Sequence, residues 1–212
     1  NKVSCKGLII ASQFKTTDYQ ELLTKIAPEL TTCKDKVLSS ERLPHLKFVI
    51  KIDDQQHTGI YRFSDLVTTP TSEQLEQLKQ LARQLQFDET INIQFTSGTT
   101  GNPKGTMLTH HNILNNGYFV GEGIRLTAQD KVCISVPLFH CFGMVMGNLA
   151  CVTHGATMVY PSAVFNPLET LKAIHQERCT AAYGVPTMFI ATLEHEQFNE
   201  FDLSSLRTGI MA

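Results

Sequence analysis

Apolar positions in this chain alternate between the period of a strand and the period of a helix. Gly7-Leu8-Ile9-Ile10-Ala11 reads as a short buried strand, and Asp18 then precedes Tyr19, Leu22, Leu23 and Ile26 at helical spacing, in a run that ends near Pro28. The next strand is expected at Phe48-Val49-Ile50-Lys51-Ile52, before a turn through Asp53-Asp54-Gln55-Gln56 and Gly59. Ser72 is the expected cap of a helix carrying Leu75, Leu78, Leu81 and Leu85 on one face and Glu, Gln, Lys and Arg on the other. That leucine face reads as packed on its own domain in preference to an oligomer contact.

The same alternation continues with strands at 91–95, 132–136, 157–160 and 180–183, and with helices at 109–117, 144–152, Pro167–Glu177 and Pro186–Leu193 between them. Strands separated by helices predict an α/β fold, a mostly parallel sheet flanked by helices, with ligands beyond the carboxyl ends of the strands. Two parts are expected, 1–88 and 89–212, and Thr68-Thr69-Pro70-Thr71-Ser72 is the one linker-like stretch.

Chemistry concentrates after residue 95, in Thr96-Ser97-Gly98-Thr99-Thr100-Gly101-Asn102-Pro103-Lys104-Gly105. Its glycines let the main chain approach a ligand closely, and successive N–H groups form an anion-binding concavity. Thr96, Ser97, Thr99 and Thr100 add hydroxyls, Lys104 adds a point charge, and Pro103 fixes φ just before it. Such a loop suits a polyphosphate, and ATP is the expected ligand. With Ile91, Ile93 and Phe95 alternating upstream and Thr109 as an N-cap downstream, the order reads strand, loop, helix. It differs from the common P-loop, because Pro103-Lys104-Gly105 stands where Gly-Lys-Ser/Thr would, and the dinucleotide fingerprint is missing.

The ten-residue string resembles the phosphate-loop signature of the adenylate-forming superfamily of acyl-CoA synthetases, peptide-synthetase adenylation domains and luciferases. The likeness continues through Leu108-Thr109-His110, Pro137-Leu138-Phe139-His140-Cys141-Phe142-Gly143, Tyr183-Gly184-Val185-Pro186-Thr187-Met188-Phe189 and Arg207-Thr208-Gly209. Ile91-Asn92-Ile93-Gln94, Pro137-Leu138-Phe139-His140-Cys141 and Gln13-Phe14-Lys15 are most similar to the medium-chain fatty acid ligases of the acyl-CoA synthetase family member 2 type. The resemblance implies part of a large N-terminal AMP-binding domain. It also implies ATP with Mg2+, coenzyme A as co-substrate, and a fatty acid as the acid that is activated. Thr96, Ser97, Gly98, Thr99, Thr100, Gly101 and Lys104 would bind the nucleotide phosphates, and His140, Tyr183 and Gly184 would border the acyl group.

Family segments for adenine, ribose and magnesium, and the C-terminal domain with the catalytic lysine, are expected beyond Ala212. The chain therefore reads as an excerpt that is inactive alone, with no catalytic or metal-ligating residue assigned within it. Two other readings stay open from sequence: an adenylation domain that loads an amino or aryl acid onto a carrier thiol, and a noncatalytic binding or scaffold piece.

Composition narrows the partners. With 18 basic and 20 acidic residues the formal charge is −2 and no block of like charges occurs, which argues against nucleic acid or an anionic membrane surface as a partner. Apolar runs fall far short of the ~20 residues of a membrane span, so a soluble cytoplasmic protein is expected, or a mitochondrial-matrix one in a eukaryote. Six cysteines without C-x-x-C spacing read as reduced, mostly buried thiols. Cys141 beside His140 reads against a nucleophilic pair, because adjacent side chains point apart. His140 on residue pattern alone reads as a hydrogen-bonded core histidine, and only the resemblance moves it to the pocket. His110 and His111 are expected to be structural or solvated.

Overall fold

The computed structural model describes residues 2–96 and 101–212, which fall into two units, Asn1–Gln84 and Leu85–Ala212. In the first unit, strands β1 (Gly7–Ala11), β4 (Phe48–Ile52) and β5 (Tyr61–Arg62) form a parallel sheet in the order β1-β4-β5. A short antiparallel pair, β2 (Gln13–Phe14) and β3 (Thr17–Asp18), follows β1, and helix α1 (Tyr19–Ile26) starts on the Asp18 carboxylate, which accepts from the Glu21 N–H at 2.8 Å. Leu23, Ala27, Leu30, Leu38, Val49 and Ile60 make the core. Strand β1 is less buried than its apolar run suggests: it lies at the sheet edge, so Ile10 is buried while Ile9 is 58% exposed.

One buried cation sits in this sheet. The Lys51 ammonium is 3.0 Å from Asp53 Oδ2, which also takes Ser12 Oγ–H at 2.9 Å and His57 Nε2 at 2.9 Å. Burial pushes the Asp53 carboxyl up, but the bonds from Lys51, His57 and Ser12 outweigh it and hold the group well below the usual carboxylate range.

After α2 (Phe63–Leu66) comes α3 (Ser72–Gln84). Its start is closed by a capping box one residue earlier than expected. Thr71 Oγ1 accepts from the Gln74 N–H, and Gln74 Oε1 accepts from the Thr71 N–H. The expected packing of its leucine face is not observed: no residue of α3 is buried, and Leu75, Leu78 and Leu81 stay exposed. The helix rests on its cap and on local pairs such as Glu76–Lys79.

In the second unit, β6 (Thr90–Thr96) pairs antiparallel with β7 (Lys104–Thr109), and α4 (His110–Gly123) begins directly on the reciprocal Thr109–Asn112 cap. The predicted strand-loop-helix order is thus corrected to a hairpin followed by a helix, and β6 does not belong to a parallel sheet. Strand β7 escaped the pattern because Gly105 carries no side chain and Met107 is 68% exposed, so the segment has no buried alternation.

The parallel sheet is built from β8 (Lys131–Ile134), β9 (Thr157–Val159), β10 (Ala181–Gly184) and β11 (Thr208–Met211), in the order β11-β10-β8-β9. A π-helix over Phe142–Leu149 and α5 (Ala150–His154) link β8 to β9; α6 (Pro167–Glu177) links β9 to β10, and α7 (Pro186–Leu193) links β10 to β11. Side-chain alternation assigns the faces. Val132, Ile134, Ala181 and Tyr183 pack with Phe142, Ala150 and Cys151, whereas Cys133 packs with Ile174 of α6. All six cysteines are free, with Cys133, Cys151 and Cys179 buried. Among the described residues no helix is long and apolar enough to cross a membrane.

Candidate functional site

Chain topology marks one end of the parallel sheet. The crossover from β8 to β9 runs over the face of the π-helix and α5, and the later crossovers use the face of α6 and α7. The order in which strands are added to the sheet therefore reverses between β8 and β10, and the crevice beyond their carboxyl ends is the switch point at which open α/β sheets bind ligands. Two segments singled out from sequence leave from it: Pro137 to Gly143 after β8, and Val185-Pro186 after β10.

His140 stands exposed there, which excludes the core-histidine reading. Its Nδ1 accepts the Phe142 N–H at 3.1 Å, so Nε2 carries the proton of the neutral ring. Cys141 Sγ lies 3.8 Å from the same Nδ1, but that nitrogen's lone pair is already engaged and cannot serve as a base for the thiol. Gly143 fixes the return of the segment, because a Cβ there would meet the Pro137 carbonyl oxygen within van der Waals distance.

The Tyr183 ring is 2% exposed and stacks on Phe142 at 5.8 Å, and its hydroxyl has no partner among the described residues. Burial pushes its phenol up, with the neighbouring Cys151 adding to the shift. Gly184 borders a cavity on the α6 and α7 side, which Tyr183 also lines while its ring stacks on Phe142. His140 is not among the residues that line it.

The glycine-rich loop hangs from the β6–β7 hairpin. Thr96 and Lys104 form its last rung, and Thr96 Oγ1 reaches the Lys104 carbonyl at 3.5 Å. Paired residues share a face, so Gln94 and Thr106 extend the polar side that carries Thr96 and the exposed Lys104. Gly101 has φ +135°, which an L side chain rarely adopts. Ser97, Gly98, Thr99 and Thr100 lie outside the described residues.

Three features went unread in the sequence. Asn92, two rungs down the same polar face, places Nδ2 4.0 Å from Met144 Sδ and so ties the hairpin to the π-helix; its Oδ1 is buried without a partner among the described residues. The only available signal was a polar residue at an alternating strand position. The π-helix itself has no sequence signature, although such turns concentrate at functional sites. At the opposite end of the sheet, Asp130 accepts from Arg207 Nε at 3.0 Å, Thr180 Oγ1 at 2.6 Å and the Thr127 N–H at 2.8 Å. His110 keeps a buried Nε2 without a described partner, and the His111 ring meets Phe87 at 5.9 Å.

Residues 1–212 match the family model described as AMP-binding enzyme. The chain belongs to the AMP-binding enzyme family. It is 48% identical over 209 residues to YngI of Bacillus subtilis, covering 97% of this chain and 37% of that protein. It is 42% identical over 213 residues to the zebrafish (Danio rerio) mitochondrial medium-chain acyl-CoA ligase ACSF2, covering all of this chain and 35% of the relative. The chain thus spans little more than a third of the relatives it matches. Among solved structures, an anthranilate CoA ligase with anthranoyl-AMP superposes with a TM-score of 0.72 at 23% identity, over 98% of this chain and 36% of that one, a likeness of fold.

Proposed function

We propose that this chain is the phosphate-loop part of an AMP-binding acyl-CoA ligase acting on fatty acids. The observation that carries the reading is the Thr96–Lys104 rung, which sets a hydroxyl-bearing residue opposite an exposed lysine at the two ends of the glycine-rich stretch. Lys104 and the hydroxyls of Thr96, Ser97, Thr99 and Thr100 would hold the β- and γ-phosphates of ATP while the substrate carboxylate attacks the α-phosphate. The new O–P bond gives the acyl-adenylate, and the broken one releases pyrophosphate, whose growing charge Lys104 offsets. The coenzyme A thiol then attacks the acyl carbonyl, loses its proton, and expels AMP. No group of three His, Cys, Asp or Glu side chains able to hold a metal occurs among the described residues.

The complete enzyme should convert ATP, fatty acid and coenzyme A to AMP, pyrophosphate and acyl-CoA in equal amounts. Formation of ADP and inorganic phosphate, or AMP without thioester, would contradict the proposal. The acyl side of the site has its own test at His140. In the complete enzyme His140→Ala should change the ratio of kcat/KM between short and long acids by about tenfold with the KM for ATP nearly unchanged. Equal losses for every acid would remove His140 from the acyl site.

A further inference from the structure

We propose that the cavity between α6, α7 and β10 is a binding site for a small single-ring phenol on the α6 and α7 face of the sheet. It has a volume of about 130 Å³. Ala182 and Gly184 of β10, Ile174 of α6 and Met188 and Phe189 of α7 line it, and Ser135, Thr170 and Thr192 supply its hydroxyls. Helix α7 leaves this space because it is loosely seated: it is apolar on most sides, yet none of its residues is buried.

Size and wall chemistry select the occupant. An apolar cavity of roughly 150 Å³ stays dry and binds benzene, whereas a stable buried water needs about two to four polar partners. Drug-sized ligands are excluded, since their pockets run from about 300 to 1,000 Å³. Phe189 and Met188 supply ring and thioether contacts that favour an aromatic guest over an aliphatic one of equal size.

The lining hydroxyls add one directional requirement. Thr170 Oγ1 donates its proton to the Asn166 carbonyl at 2.8 Å, so in the 3.3 Å contact between Ser135 Oγ and Thr170 Oγ1 the proton belongs to Ser135. Ser135 Oγ keeps two acceptor lone pairs, of which the Cys133 thiol at 3.8 Å engages at most one. Thr192 Oγ1 donates to the Met188 carbonyl at 2.8 Å, so the three lining hydroxyls offer acceptors and no spare donor. A phenol matches them: the O–H donates to Ser135 Oγ, and the ring fills the apolar space beside Ala182.

The test uses the 212-residue chain carrying 13C-methyl methionine, with the Met188 methyl resonance as reporter. Phenol should shift that resonance saturably, with a Kd of about 1 mM, an affinity in keeping with so small a guest. Ser135→Ala should weaken phenol by about threefold to tenfold and leave benzene unchanged, because benzene makes no bond to the hydroxyl. Ala182→Leu, which fills the cavity, should abolish both. If Ala182→Leu fails to fold, the wild-type titration and the Ser135 comparison still decide. A Met188 shift that never saturates, or a Ser135→Ala loss shared equally by benzene, would overturn the proposal.

Discussion

Lys104→Ala in the complete enzyme is expected to slow ATP–pyrophosphate exchange by about 10²- to 10³-fold while changing stability by less than about 0.5 kcal/mol. The two effects separate because of where the residue stands. Lys104 opens β7 and contributes its main chain to the rung with Thr96, and alanine preserves that contribution. Its side chain is exposed, so deletion leaves neither a cavity nor a buried unpaired group. What disappears is the positive charge that the proposed function sets beside the departing pyrophosphate. Lys104→Arg should recover only part of the rate, because a planar guanidinium does not reproduce a compact ammonium. Unchanged exchange in Lys104→Ala at saturating ATP would exclude the residue from the role assigned to it.

Local rules carried much of the fold. Thr109 caps the helix it was expected to cap, Asp18 stands directly before α1 as expected, and α6 and α7 keep their expected bounds because proline at the first position and apolar periodicity act within a single turn. What stayed hidden depends on partners distant in sequence. Strand β7 is defined by main-chain pairing with β6 and not by the burial of its side chains. The leucines of α3 satisfy a helical pattern, yet a pattern cannot say whether a surface lies opposite them. Tyr183 and Gly184 are neighbours in one motif and both border the cavity, but the Tyr183 ring stacks on Phe142, a contact that only the crossover through the π-helix creates. Asp130 and Arg207 are 77 residues apart, and nothing local to either marks them as partners.

That pair is expected to stabilise the second unit. Asp130 precedes β8, Thr180 precedes β10 and Arg207 precedes β11, so one carboxylate gathers the amino ends of three parallel strands. The Asp130 side chain is only 5% exposed, and it also accepts the Thr127 N–H and hydroxyl. Asp130→Ala would strand these donors, at a cost of about 3 kcal/mol, the lower end for breaking a buried pair. The lower end applies because the Arg207 side chain is 41% exposed and water can solvate it once its partner is gone. Burial pushes the Asp130 carboxyl up, but the bonds from Arg207, Thr180 and Thr127 prevail and hold it well below the usual range. A folded value below the unfolded one of about 3.9 means that the stabilisation is complete above that pH and fades as pH falls below it. Urea unfolding of the 212-residue chain should therefore show a wide gap between wild type and Asp130→Ala at pH 7 and a narrower one at pH 3. Equal midpoints at pH 7, or a gap that does not shrink in acid, would show that the carboxylate does not tie the strands together.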